Sequence, residues 1–274
     1  MAYHQPTSLD DALSILDSTG AEMIAGGTDW YPSRGERPLP GELLDLTRIE
    51  TLRGINRREG GWWIGACTTW SEIVETPMPP AFDGLKAAAR EVGSIQIQNS
   101  GTVAGNLCNA SPAADGVPPL LTLEAQVHVA SRAGERALAL SEFLTGVRQT
   151  ALQPGEILTG LWLPPPPDHM RSAFLKLGAR RYLVISIAMV SVLLLVEAGK
   201  IVEARIAVGA CSPVALRLPE MEAALPGIRP ADCEEQLTEA HLAPLSPISD
   251  VRADQAYRAD AVLTLCIRAI AKAA

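Results

Sequence analysis

The sequence predicts an α+β protein built as two domains, and three observations carry that prediction. In the N-terminal half, short helical and strand patterns alternate, as in a mixed α/β unit. The run Pro164-Pro165-Pro166-Pro167 then imposes a stiff, extended connector that neither a helix interior nor a sheet ladder accommodates. Beyond it, three strand-like segments precede three helical ones, the order of a small antiparallel sheet covered by helices. The predicted domains are residues 1–166 and 167–274.

The elements follow from capping and periodicity. Ser8 with Asp11 makes a helix start, Leu9, Leu13 and Leu16 supply its apolar stripe, and Gly20 stops it. Short strands are expected at 21–25, 41–46 and 61–66. Thr69-Trp70-Ser71-Glu72 has capping-box spacing and opens a helix, and the alanine-rich stretch 84–92 is a second one. Pro118-Pro119 suits a helix's first turn, where a missing N–H costs nothing. Residues 126–130 and 156–163 read as strands. After the prolines, strands are expected at 174–177, 186–196 and 201–209, the last two joined by a hairpin at Ala198-Gly199-Lys200. Helices are expected at 219–225, 232–241 and 254–273.

Composition narrows the function classes. Acidic residues (31) outnumber basic ones (23), for a formal charge of −8, and no basic stripe offers itself to a nucleic-acid backbone. The pairs Arg57-Arg58 and Arg180-Arg181 read as solvated surface. The longest apolar stretch, Ile185 to Val196, is broken by Ser186 and Ser191 and reads as a buried strand, not a membrane span. Residues 1–6 lack the pattern of a secretory signal, so a soluble, cytoplasmic protein is expected. Cys67, Cys108, Cys211, Cys233 and Cys266 are scattered, which fits neither a zinc knuckle, a ferredoxin-type cluster nor a disulfide framework. Most are expected to be small core hydrophobes.

Two small-residue segments carry the chemistry. Ile24-Ala25-Gly26-Gly27-Thr28-Asp29 follows a strand, and a second loop runs from Ser100 through Thr102-Val103-Ala104-Gly105-Asn106 to Ser111 and Asp115. Glycines beside short hydroxyl and amide side chains let main-chain N–H groups face an anion together. One such loop is ordinary. Two suggest a cofactor with an extended phosphate bridge held from both sides.

With both segments in view, the chain resembles the FAD-binding medium subunits of molybdenum hydroxylases, the carbon monoxide dehydrogenase and xanthine dehydrogenase family. Matching elements are Tyr3-x-x-Pro6, Ala25-Gly26-Gly27-Thr28-Asp29, Ser111-Pro112-Ala113-Ala114-Asp115, Pro154-Gly155-Glu156-Ile157-Leu158, Phe174-x-Lys176-x-x-x-Arg180-Arg181, and Ser249-Asp250-Val251-Arg252-Ala253 followed by Tyr257-Arg258. The resemblance implies an FAD domain of two α/β subdomains, of the vanillyl-alcohol oxidase (PCMH) type, followed by a small α+β domain with a three-stranded antiparallel sheet. The absence of a GxGxxG fingerprint agrees with that.

Residue by residue, the resemblance implies that Ile24 to Asp29 hold the pyrophosphate through backbone amides, and that Thr102, Val103, Ala104, Gly105 and Asn106 form a second phosphate and ribityl contact, with Ser111 alongside. Asp115 matches a carboxylate that accepts hydrogen bonds from sugar or ribityl hydroxyls. Leu158 and Lys176 match positions beside the flavin and adenine ends. The chain departs from the family's pattern at Gln98, where an arginine is usual, and at Val103-Ala104-Gly105, where Ala104 replaces a glycine. That methyl is tolerated only if φ is negative there.

The resemblance further implies an electron-transfer subunit. A molybdopterin-binding large subunit and a small subunit with [2Fe–2S] clusters are the expected partners, assembled as a dimer of heterotrimers. Electrons would pass from the clusters through FAD to NAD⁺, oxygen or a quinone. The alternatives are a stand-alone FAD oxidoreductase of the vanillyl-alcohol oxidase type, acting on a small organic substrate, and a phosphate-ligand binding module. Simpler roles also stand beside the sharper ones: Asp115 as a cap for the helix near Pro118, Lys176 as an exposed strand residue, and Cys108 as packing. One ring of Trp62-Trp63 is expected in the core and the other at a surface or subunit contact.

Overall fold

The computed structural model describes residues 2–38, 41–181 and 183–274. Strands β1 (Ala2–His4), β2 (Glu22–Ile24) and β3 (Glu42–Asp45) lie parallel in the order β1-β3-β2. Helix α1 (Leu9–Thr19) joins β1 to β2. Its first turn is closed by Ser8, whose Oγ accepts the Asp11 amide at 3.1 Å, and Gly20 ends it in the left-handed conformation (φ 61°). Ala12, Leu13 and Leu16 bury against Leu44, Leu46 and Ile49. Tyr3 and Gln5 both donate to Asp45, which fastens β1 to the end of β3. The short helix α2 (Trp30–Arg34) completes this first subdomain.

The second subdomain is an antiparallel sheet of β4 (Ile55–Arg58), β5 (Gly61–Gly65), β6 (Gln126–Ser131), β7 (Gly134–Ala139) and a later strand. Between β5 and β6 run helices α3 (Trp70–Glu75), α4 (Asp83–Glu91), α5 (Ile95–Ser100), α6 (Val103–Asn109) and α7 (Val117–Thr122). Helix α8 (Leu140–Phe143) and a ribbon of β8 (Leu144–Gly146) and β9 (Gln149–Thr150) follow. Strand β10 (Ile157–Leu163) then enters the middle of the sheet, in the order β4-β5-β10-β6-β7. Trp70, Phe82, Leu107, Leu120 and Leu161 belong to one buried core with the inward residues of β5, β6 and β10.

The proline run holds no regular structure and delivers the chain to β11 (Arg171–Leu177), β12 (Ala188–Glu197), β13 (Lys200–Gly209) and β14 (Leu216–Arg217), an antiparallel sheet in that order. The β12–β13 hairpin turns at Ala198 and Gly199, both with positive φ (48° and 76°), as a two-residue hairpin turn requires. Side-chain alternation divides the sheet's two faces. Val190, Val192, Leu194, Ile206 and Val208 face α11 (Gln255–Ala273), with α9 (Pro219–Ala224) and α10 (Cys233–Gln236) closing that core. Leu193 and Ala207 instead join the core of the N-terminal domain, where α4 and α7 pack on β11, β12 and β13. The second domain therefore sits directly on the helices that surround the site. No described helix is long and apolar enough to cross a membrane.

Several expectations are corrected. The C-terminal sheet has four strands because the two-residue β14, too short to show a period, pairs with β13. The stretch from Ser94 to Asn109 forms helices α5 and α6, not an open loop, with Thr102 as the cap between them. The helix expected over 232–241 breaks into α10 and a separate 3₁₀ turn at Glu239–Leu242, because Leu237 is extended and Thr238 starts a new cap. Strands β1, β4 and β7 lack a clear apolar alternation and were not expected. Both Trp62 and Trp63 are buried. Trp62 tilts against Phe82, while Trp63 lies edge-on to His128 and fills the space that Gly160 leaves open. Arg57 and Arg58 are not merely solvated, since their guanidinium groups lie 4.3 and 4.6 Å from those indole rings.

Candidate functional site

A cleft of about 690 Å³ opens where the β2–α2 segment, the α5–α6 junction, the 111–115 turn and β11 converge. Glycine chemistry explains the convergence. A Cβ on Gly26 would stand 1.8 Å from the Ser100 carbonyl oxygen, so only glycine lets the first segment seat against the end of α5. Gly27 takes φ 69° and has the Tyr31 ring 2.8 Å from where its Cβ would be. Gly101 has the Thr28 hydroxyl within 3.2 Å of its own Cβ position. The glycines thus serve the contact between the two segments as much as any approach by a ligand.

The two segments offer different groups. Among the described residues, no backbone N–H from Ala25 to Asp29 has a protein acceptor, and Ile24 to Asp29 all line the cleft. A run of unmet donors at a cleft wall is an anion-binding feature. The second segment is different. Val103 N–H donates to Thr68 O at 3.0 Å, Ala104 N–H to Ala66 O at 3.2 Å, and Gly105 N–H to Thr102 Oγ1 at 3.1 Å. Asn106 N–H donates to Thr102 O. These amides close the start of α6 and leave nothing for a phosphate. Beside the Thr102, Ser111 and Asp115 amides, which have no protein acceptor among the described residues, the second segment presents side chains. Asn106 Oδ1 is buried without a hydrogen-bond partner among the described residues, and Ser111 and Asp115 lie on the cleft wall.

Asp115 does not cap α7, which begins after Gly116 with no side-chain cap. Its carboxylate accepts from Lys176 Nζ at 2.6 Å and from Ser186 Oγ at 2.7 Å. Both ends of the pair are nearly enclosed, with side-chain exposures of 7% for Lys176 and 9% for Asp115. Lys176 Nζ also donates to Glu91 O at 3.3 Å, so this is no exposed strand lysine. Burial pushes the Asp115 carboxyl above its ordinary value, while Lys176 and Ser186 pull it back down.

Twelve of the fifteen expected residues therefore line one cleft: Ile24, Ala25, Gly26, Gly27, Thr28, Asp29, Thr102, Gly105, Asn106, Ser111, Asp115 and Lys176. Val103, Ala104 and Leu158 do not. Val103 and Ala104 are turned into the core by their place in the first turn of α6, and Leu158 is buried in β10 between sheet neighbours. Ala104 is helical and absent from the positive-φ residues, so its methyl is accommodated. Gln98 Nε2 turns back to Arg90 O at 3.0 Å.

Three features escaped sequence reasoning. Arg148, at the tip of the β8–β9 ribbon, reaches the cleft and donates to the Asn109 carbonyl at 3.1 Å. Leu183, Val184, Ile185 and Ile97 give the cleft an apolar wall. Cys108 is exposed on the cleft and is not core packing. The helical periodicity of α6 could have placed Cys108; nothing local could have placed Arg148.

A run of free main-chain donors, a buried acceptor without a donor, an enclosed carboxylate and an apolar wall suit a ligand with phosphates, hydroxyls and a flat ring system. Comparison with known proteins gives that ligand its name. Residues 1–166 match the FAD binding domain in molybdopterin dehydrogenase, and residues 173–273 match the CO dehydrogenase flavoprotein C-terminal domain. The chain belongs to this family of FAD-binding flavoprotein subunits of oxidoreductases. It is 30% identical over 279 residues to the carbon monoxide dehydrogenase medium chain of Afipia carboxidovorans, covering 99% of this chain and 96% of that one. It is 29% identical over 279 residues to the xanthine dehydrogenase FAD-binding subunit of Escherichia coli O157:H7, covering 99% and 95%. Its fold superposes on a chain of the reconstituted CO dehydrogenase from Oligotropha carboxidovorans with a TM-score of 0.92 at 28% identity, covering 100% and 97%.

Proposed function

We propose that this chain is the electron-transfer subunit of a molybdenum hydroxylase. It would take electrons from [2Fe–2S] clusters on a small partner subunit and pass them to NAD⁺, oxygen or a quinone. The observation that carries this reading is the junction of the free amides of Ala25 to Asp29 with the Asn106, Ser111 and Asp115 side chains in one cleft. FAD, when bound, supplies chemistry that exchanges electrons singly or in pairs.

The roles of the residues follow from their chemistry. The Ala25–Asp29 amides hold the pyrophosphate, with Thr28 and Thr102 hydroxyls beside them. Asn106 Oδ1 and the Asp115 carboxylate take hydroxyl donors of the cofactor, because both are acceptors in places shielded from water. Lys176 balances Asp115, and Ile97 with Leu183 to Ile185 exclude water from an apolar ring. Val103, Ala104 and Leu158 serve as scaffold under this surface.

The assembly is proposed as a dimer of heterotrimers in the cytoplasm, with a molybdopterin-binding large subunit that hydroxylates the substrate. The substrate is selected on that other chain. The test is to purify the chain with its co-encoded neighbours and to follow flavin absorbance while the substrate-reduced iron–sulfur subunit is mixed in. Bleaching of the flavin bands on mixing is expected. A flavin that stays oxidised beside reduced clusters would refute the electron-transfer role.

A further inference from the structure

We propose that Ser186 is a positioning residue for the cofactor, its hydroxyl aiming the Asp115 carboxylate into the cleft. This rests on the reading of Asp115 as an acceptor for FAD hydroxyls. Ser186 has 2% of its surface exposed and donates to Asp115 Oδ1 at 2.7 Å, while Lys176 donates to Oδ2 at 2.6 Å. Each carboxylate oxygen therefore has one protein donor and keeps acceptor capacity for a ligand. With a single donor the carboxylate could swing about its bond to Lys176. With two it is fixed in plane.

The hydroxyl is itself held in place, although the residue before it, Ile185, is exposed. The next residue, Ile187, donates its N–H to Leu177 O at 2.7 Å, and its carbonyl accepts from Arg258 Nη1. Arg258 is buried. Its Nη1 also donates to Ala210 O at 3.1 Å, and its Nη2 to Asp250 Oδ1 at 2.8 Å. The C-terminal domain thus clamps the backbone one residue past Ser186, and Ser186 carries that fixed position across to the cofactor cleft of the other domain.

Charge makes the arrangement matter. Asp115 faces Lys176 from β11, the Ser186 hydroxyl from the segment before β12 and the Glu91 charge from α4. Burial and Glu91 both favour its neutral form, and Lys176 and Ser186 oppose them. Removing the hydroxyl leaves Oδ1 without a protein donor in an enclosed place, which favours protonation and a different orientation.

The test measures FAD affinity of the full chain by fluorescence titration across pH, for the unaltered protein, Ser186→Ala, Ser186→Thr and Asp115→Asn. Ser186→Ala is expected to bind FAD about tenfold more weakly at neutral pH, the loss of one charge-assisted hydrogen bond. The acid limb of its affinity profile should move to higher pH. Ser186→Thr, which keeps the hydroxyl, should restore both, and Asp115→Asn should abolish that limb. Ser186→Cys replaces Ser186→Ala if the alanine variant does not melt cooperatively. Unchanged affinity and pH profile in the variant lacking the hydroxyl overturn the role of Ser186. So does an equal loss in the alanine and threonine variants with no shift of the limb. Failure of the unaltered protein to take up FAD overturns the reading of the cleft as well, and so separates the two claims.

Discussion

Lys176 Nζ lies 2.6 Å from Asp115 Oδ2, a nearly enclosed ion pair that joins strand β11 of the C-terminal domain to the turn before α7 of the N-terminal domain. Both charges are nearly enclosed, so the two residues depend on each other. Replacing Lys176 by methionine should cost about 3–5 kcal/mol of stability, because an unpaired carboxylate is then left buried. Adding Asp115→Asn to that variant should recover a large part of the loss. Denaturant unfolding of both variants measures the difference, and additive losses would show that the pair is not coupled.

Gly26 tests whether the two cleft segments must touch. Gly26→Ala places a methyl on the Ser100 carbonyl, and the expected cost is ~3 kcal/mol, at the upper end for overpacking, together with loss of FAD uptake. Gly20→Ala is the control. That residue, unlike Gly26, has positive φ (61°), and nothing lies within 4 Å of the added methyl, so about 1 kcal/mol of backbone strain is expected and FAD uptake should persist. Thermal melts and flavin content of the two variants make the comparison.

Asn106 Oδ1 is a buried acceptor with no donor among the described residues. Its removal should therefore leave the cofactor-free protein as stable as before. Asn106→Ala is expected to lower FAD affinity roughly tenfold, the value of a hydrogen bond made only in the complex. A melting temperature that falls without FAD, with affinity intact, would assign Asn106 to the scaffold.

Asp250 accepts from the Arg252 amide, the Arg252 guanidinium and Arg258 Nη2, and its carboxyl is pulled down from 3.8 to about 2. A lowered folded-state pKa gives stability that is present above the unfolded value and lost as pH falls through the folded one. Asp250→Asn should accordingly be less stable than the unaltered protein at neutral pH. The gap should close as pH falls from about 3.8 to about 2. Urea midpoints in a pH series decide it, and a constant gap would place the effect elsewhere than in this carboxylate's charge.

Tyr3 donates to Asp45, and that bond, with burial and the Asp45 charge, raises its phenol to about 12. Its contribution to stability is present below the ordinary value of 10.0 and lost as pH rises through about 12. In an alkaline absorbance titration a tyrosine step is expected near pH 12. Tyr3→Phe should remove that step.

Sequence alone determined the elements whose signals are local. Ser8 and Gly20 bracket α1 by capping, and Ala198-Gly199 sets the β12–β13 hairpin by its φ preference. The four prolines divide the chain, and the two small-residue segments mark the cleft. These readings needed only neighbours along the chain. Tertiary structure decided whatever depends on residues that meet across it. The amides of Val103 and Ala104 are consumed by Thr68 and Ala66, which leaves the unbroken run of unmet amides on the first segment. Asp115 finds Lys176 and Ser186 instead of a helix cap, Arg148 arrives on a ribbon, and β14 exists only because β13 offers it an edge. Capping and turn preferences are properties of a few consecutive residues, whereas the partner of a buried charge is set by which strands pack on which helices.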